Sequence, residues 1–287
     1  MTMPPEAVQA PAATPTATAQ GSGPGSVARR LLRGNAVAGV LGFAAFLALL
    51  EVVPRAGLVS PDYLPPFSRI VGALTELLGE GEFWSAVGDT MWSWFVGLLI
   101  AVSLGIVTGF VIGTVPVLRE FTASTIEFLR PIPSVALIPL AVLVFGLSMK
   151  STLLLVVYAS FWQVLIQVLY GVADVDPVAR DTARSFGLGR WARTVHVTWP
   201  TALPYLFTGI RLAAAVALIL AITAELVIGI PGLGQEISIA QNSGAVPRMY
   251  ALVVVTGIFG VIVNVGFRAV ERRLLSWHAS VRSEVPV

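Results

Sequence analysis

Few side chains in this chain can do chemistry, and Glu225 is the most conspicuous because it stands inside an apolar run, residues 221–229. An ionisable group at membrane depth costs about 2.5–3.5 kcal/mol on insertion scales, so it faces protein or a watery cavity. Two roles suit it. With Thr223 beside it, Glu225 can line or gate a pathway, as a proton or sodium site; or it can tie helices together by a hydrogen bond to Thr223 or Asn264. The acidic pair Asp174 and Asp176 suggests a divalent ion, but Asp176 directly precedes Pro177, the preferred order for a helix start. His196 and His278 are the two histidines and lie in separate segments, whereas a two-histidine metal site needs closer spacing or added carboxylates. Lys150, the one lysine, follows Met149 rather than the glycine of a phosphate-binding loop. Without cysteine the chain has no disulfide and no thiolate chemistry. No nucleophile has a base and an orienting acid near it in sequence, so we expect neither an enzyme nor a metal site.

The second concentration of polar chemistry runs from Asp176 to Pro204, DPVARDTARSFGLGRWARTVHVTWPTALP. Asp176 caps a helix starting at Pro177. Val178, Ala179, Thr182, Ala183 and Phe186 recur on one face, with Arg180, Asp181, Arg184 and Ser185 on the other. Gly187 is the residue expected where a helix ends in a left-handed turn. A second short helix, about Arg190 to His196, runs until Pro200 and Pro204 break it. The first helix, about 15 Å long, cannot span a bilayer. The stretch reads as a helix–turn–helix between membrane spans, with one face left for a partner.

The elements that must position these residues follow from composition. The chain is 56% hydrophobic and 12% charged, against about 25% charged for a soluble domain. We expect an all-α membrane protein. Residues 1–27 are rich in Pro, Ala, Thr, Gly and Ser and read as a disordered tail without a signal-peptide pattern. Residues 28–277 form one transmembrane domain, with spans at about 35–53, 85–114, 122–147, 151–172, 205–229 and 249–270. Residues 173–204 are the polar loop and 278–287 a C-terminal tail. With both ends inside, the outer segments hold Arg55, Arg69, Lys150 and Arg248, and the other fourteen of the 18 basic residues lie inside. The Asp176–Pro204 loop is then cytoplasmic, and the basic residues mark topology rather than a nucleic-acid surface. The third span opens with Arg130-Pro131-Ile132-Pro133. Prolines there free backbone carbonyls, which suits either a bent helix beside a pathway, with Pro131 and Pro133 lining it, or a packing kink.

The loop resembles that of the membrane permease subunits of bacterial binding-protein-dependent ABC importers, in the branch serving nitrate, sulfonates and taurine. That family carries Glu-Ala-Ala, three residues, Gly, nine residues, then Ile-x-Leu-Pro. Here Asp181-Thr182-Ala183, Gly187 and Val197-Thr198-Trp199-Pro200 stand in those places, with Ala183, Gly187 and Pro200 matching. Residues 129–147 and 224–234 are similar to the same branch, and the likeness covers roughly residues 60–277. The resemblance implies a type I importer fold in which this loop docks as a coupling helix on a separate ATPase subunit. Asp181, Thr182, Ala183, Phe186, Gly187 and Pro200 then form the coupling surface. It also implies two copies of the chain around the pathway, two ATPases carrying ATP and Mg below, no cofactor in this chain, and an extracytoplasmic binding protein above. Residues 229–247 are candidates for meeting that protein. The location is the bacterial inner membrane. An ion-gradient-driven transporter using Glu225 is the competing reading.

Overall fold

The structure, a computed structural model, describes residues 24–275, with side-chain surroundings from residue 37 onward. The expected N-terminal tail lies outside the described residues up to residue 23, and the expected tail at 278–287 lies outside them entirely. Every regular element among the described residues is helical. Helix α1 (Pro24–Arg55) carries the first apolar stretch and is moored at one end. There Glu51 accepts both the amide (2.9 Å) and the hydroxyl (3.0 Å) of Ser68, in the first turn of α2 (Phe67–Leu78).

Lipid gives helices no hydrophobic reason to associate, so close backbone packing and hydrogen bonds must hold them. Helices α3 (Gly81–Thr114) and α6 (Met149–Ala173) do this with small residues. Gly97, Gly105, Gly109 and Gly113 face Val156, Val164, Val168 and Val172 in one parallel register. A Cβ on Gly105 or Gly109 would fall 2.7 Å from the opposing valine. The four-residue spacing keeps this stripe on one face of each helix. Helix α9 (Trp199–Ile228) packs antiparallel on α6, where Gly171 meets Ala202, Gly209 meets Gln167, and the Ser160 hydroxyl donates to the Ala213 carbonyl at 3.2 Å. The indole of Trp94 in α3 donates to the Ala214 carbonyl at 2.9 Å and joins all three. A second apolar cluster joins α2, α10 (Leu233–Asn242) and α11 (Val246–Leu274) through Ile70, Leu77, Leu233, Ile237 and Leu252.

The stretch 122–147, whose prolines suit a bent helix, is bent in the structure. It is α4 (Pro116–Leu129) and α5 (Ile138–Phe145, led by a 3₁₀ turn from Ser134), bent by 82° at Arg130–Pro133. Pro131 and Pro133 have no N–H for the carbonyls of Glu127 and Leu129, and the Leu129 carbonyl accepts the amide of Ile132 at 3.2 Å and the hydroxyl of Tyr158 at 2.7 Å. Helix α6 starts where α5 ends and finishes beside the end of α3, so α4 and α5 together carry the chain across. Counting this bent pair as one span, the described residues hold six helical segments long and apolar enough to cross a membrane, five of them single long helices. One expectation needs correction: Pro200 and Pro204 do not end the helix begun at Arg190. After α7 (Pro177–Ser185), the turn α8 (Arg190–Arg193) passes through a π-turn, Thr194–Thr198, directly into α9. The amide of Trp199 donates to Thr194 five residues back, and the wider turn accommodates the proline that follows.

Candidate functional site

The polar loop forms as its residues dictate. Asp176 accepts the amide of Val178 at 2.9 Å and caps α7. At the other end Gly187 has φ +75°, and the amide of Leu188 donates to the Ala183 carbonyl at 3.0 Å, which closes the helix with a left-handed turn. Asp181, Thr182, Phe186 and Gly187 are exposed and Ala183 is buried. Phe186 is 80% and Trp191 79% exposed, so these aromatic rings do not fold back on the spans. Pro200 lies apart from α7, half-buried after the π-turn.

The arms of this loop are fixed. The hydroxyl of Tyr205 in α9 donates to Asp174 at the end of α6 at 2.9 Å. Gly171 lets the two helices touch, since a Cβ there would lie 2.8 Å from the Cα of Ala202. Trp199 stacks on Phe110 of α3 with ring centroids 5.0 Å apart. These contacts join the ends of α3, α6 and α9 on either side of the loop. The acidic pair is accounted for by these bonds, Asp176 as a cap and Asp174 as the Tyr205 acceptor.

Glu225 lies at the opposite end of α9, with no exposed surface. Its carboxylate accepts from the Thr90 hydroxyl (2.8 Å), the Ser93 hydroxyl (3.2 Å) and the amide of Gly234 (3.1 Å). The Thr90 hydroxyl in turn accepts the amide of Leu233 at 2.8 Å. A Cβ at Gly232 would fall on the Glu225 carboxylate, and one at Gly234 would fall on the Ile222 carbonyl and the backbone of α9, so both positions need glycine. Neither expected partner contributes: Thr223 donates to its own helix at Ile219, 2.7 Å, and Asn264 is exposed on α11. The Thr90–Ser93 pair is the signal that sequence reasoning missed, two hydroxyls three residues apart in an apolar span.

Near that same end, Arg248 of α11 makes two bonds of 2.7 Å to Glu80 and approaches Glu236 at 3.4 Å. The hydrogen bonds from Arg248, assisted by its charge, hold the Glu80 carboxyl below its ordinary value of 4.5. Within residues 229–247, α10 is thus tied to α3 through Leu233 and Thr90 and to α11 through Glu236 and Arg248. Pro131 and Pro133 sit exposed at the bend between α4 and α5, away from both other sites.

Among the described residues, then, a capped polar helix stands between apolar helices whose adjoining ends are tied together. Residues 101–276 match the family model described as the binding-protein-dependent transport system inner membrane component. The chain belongs to this family. It is 32% identical over 244 residues to the taurine transport system permease protein of Escherichia coli (strain K12), covering 83% of this chain and 89% of that one. It is 27% identical over 208 residues to the nitrate import permease protein of Leptolyngbya laminosa, with 72% of each chain covered. Its fold matches the inward-facing MetNI methionine ABC transporter with a TM-score of 0.59 at 16% identity, over 67% of this chain and 95% of that one. The permease is thus a membrane-spanning importer subunit, and its all-helical architecture is that of type I importers. Its candidate residues form three groups. Those on α7 lie together on one exposed helix, while the helix break and the Glu225 knot are separate from it and from each other.

Proposed function

We propose that α7 is the coupling helix through which a separate ATPase subunit drives this permease. The supporting observation is that α7 exposes Asp181, Thr182 and Phe186 while the Tyr205–Asp174 bond and the Gly171–Ala202 contact fix its arms to the spans. The chain carries no phosphate-binding loop, so ATP and Mg belong to the partner. Two copies of the chain enclose the pathway over two ATPases. In this reading α7 and both termini lie in the cytoplasm, which the arginine asymmetry supports. An extracytoplasmic binding protein then meets the α10 end. The relatives favour a small anion, of the taurine or nitrate kind, as solute. The gradient-driven alternative has no observation in its favour.

Co-purification with a candidate ATPase tests this. Capture by the native chain is expected to be lost, or ATP hydrolysis uncoupled from transport, in Gly187→Arg and Asp181→Arg. Uptake that runs on an ion gradient without any ATPase would overturn the reading.

A further inference from the structure

The 82° bend opens a cavity of about 770 Å³ between α4, the end of α3 and α6. Its walls are apolar, from Ile112, Ile126, Ile166 and Leu169, except where Arg119, Glu127 and Arg130 enter. Arg119 lies in the first turn of α4, level with the α7 end of the bundle. Arg130 lies at the break, where the carbonyl of Leu129 meets the hydroxyl of Tyr158. Tyr158 is nine residues into α6, about 13 Å from that helix's start at a rise of 1.5 Å per residue. Arg130 is therefore anchored well inside a hydrocarbon layer about 30 Å thick. A cation at such depth is costly unless it faces a water-filled cavity and serves a function there. Among the described residues, neither arginine nor Glu127 takes part in an ion pair.

We propose that this cavity is an anion site, in which Arg130 holds a small oxyanion (nitrate-, sulfonate- or carboxylate-like) and Arg119 stands at its mouth. A planar guanidinium presents paired N–H groups that match such oxygens. Two arginines against one carboxylate leave the cavity net cationic, and its low-dielectric walls concentrate anions. A lipid phosphate shares this chemistry, since the α6 residues that line the cavity, Ile166, Leu169 and Tyr170, lie toward that helix's inner end, and the labelling experiment separates it from a mobile anion. That the anion leaves through this cavity toward the cytoplasm rests on the importer reading above; its binding does not.

The chain has no cysteine, so Ala123→Cys on the cavity wall supplies a single reactive group. Full-length protein in phosphatidylcholine nanodiscs is labelled with sulfonatoethyl and trimethylammonioethyl methanethiosulfonate, and the ratio of rates is taken. Adding Arg130→Gln is expected to lower the anionic-to-cationic ratio about tenfold, and Arg130→Lys to lower it less. Nitrate or taurine should slow labelling only when Arg130 is present. An unchanged ratio in Arg130→Gln, with an unchanged thermal midpoint, overturns the proposal. So does protection by phosphatidylglycerol in the disc without protection by nitrate or taurine. No ATPase takes part, so this result and ATPase capture by α7 fail independently.

Discussion

The carboxylate of Glu225 accepts the amide of Gly234 at 3.1 Å, so a side chain on one span caps the first turn of the helix that follows it. Thr90 and Ser93 complete the knot from α3. Removing the acceptor strands buried donors, each of which costs about 1–3 kcal/mol. Glu225→Ala is therefore expected to lower the thermal midpoint strongly in detergent, while Glu225→Gln keeps one acceptor and loses less. A glutamine variant of undiminished stability and no uptake would instead assign Glu225 to ion transfer.

The contact between Gly105 and Val164 leads to a packing prediction. A Cβ at Gly105 would lie 2.7 Å from the Val164 Cβ and 3.3 Å from the backbone nitrogen of Leu165, so a side-chain shift alone cannot relieve it. Gly105→Ala should cost about 1–3 kcal/mol, as other overpacked sites do. Gly257, where a Cβ would meet no atom within 4 Å, is the control; Gly257→Ala should leave the thermal midpoint close to wild type.

Much of this was legible from residue types. Asp176, Pro177 and Gly187 specify α7 because cap, first-turn proline and left-handed glycine act locally. The failures are non-local. Glu225 chose Thr90, Ser93 and Gly234 over the nearby Thr223 because its partners come from other helices, 132 to 135 residues away for the hydroxyls. The glycine stripe of α3 is a four-residue spacing that gains meaning only against the valines of α6. Pro200 and Pro204 read as breakers because a π-turn carries no sequence mark that competes with proline. The bend at Arg130 was foreshadowed by its prolines, but the depth of Arg130 required the Tyr158 contact.

Phe186 separates docking from folding. At 80% exposure on α7 it supports no core, so Phe186→Ala should express and melt like the native chain. An exposed aromatic ring that fills a partner's pocket is worth about 2 kcal/mol or more, so affinity for the ATPase should fall at least tenfold. Titration of the purified ATPase against the permease in nanodiscs measures this. Unchanged affinity would remove Phe186 from the contact surface.

Glu80 and Arg248 give a pH dependence of definite sign. The bidentate bond from Arg248 lowers the Glu80 pKa, so the folded state holds the ionised form more tightly than the unfolded chain does. The resulting stability is fully present above the ordinary carboxylate value of 4.5 and is lost as pH falls through the lower folded value. Glu80→Gln should therefore melt below wild type at neutral pH, and the gap should close in acid as pH falls through the lowered folded value. Because the pair is partly exposed, with side chains 31% and 37% accessible, high salt should also narrow it. Melting curves of both proteins across pH, at low and high salt, make the comparison. A gap that persists unchanged in acid would mean that Glu80 acts through packing at the start of α3, and that its charge contributes nothing to the tie with α11.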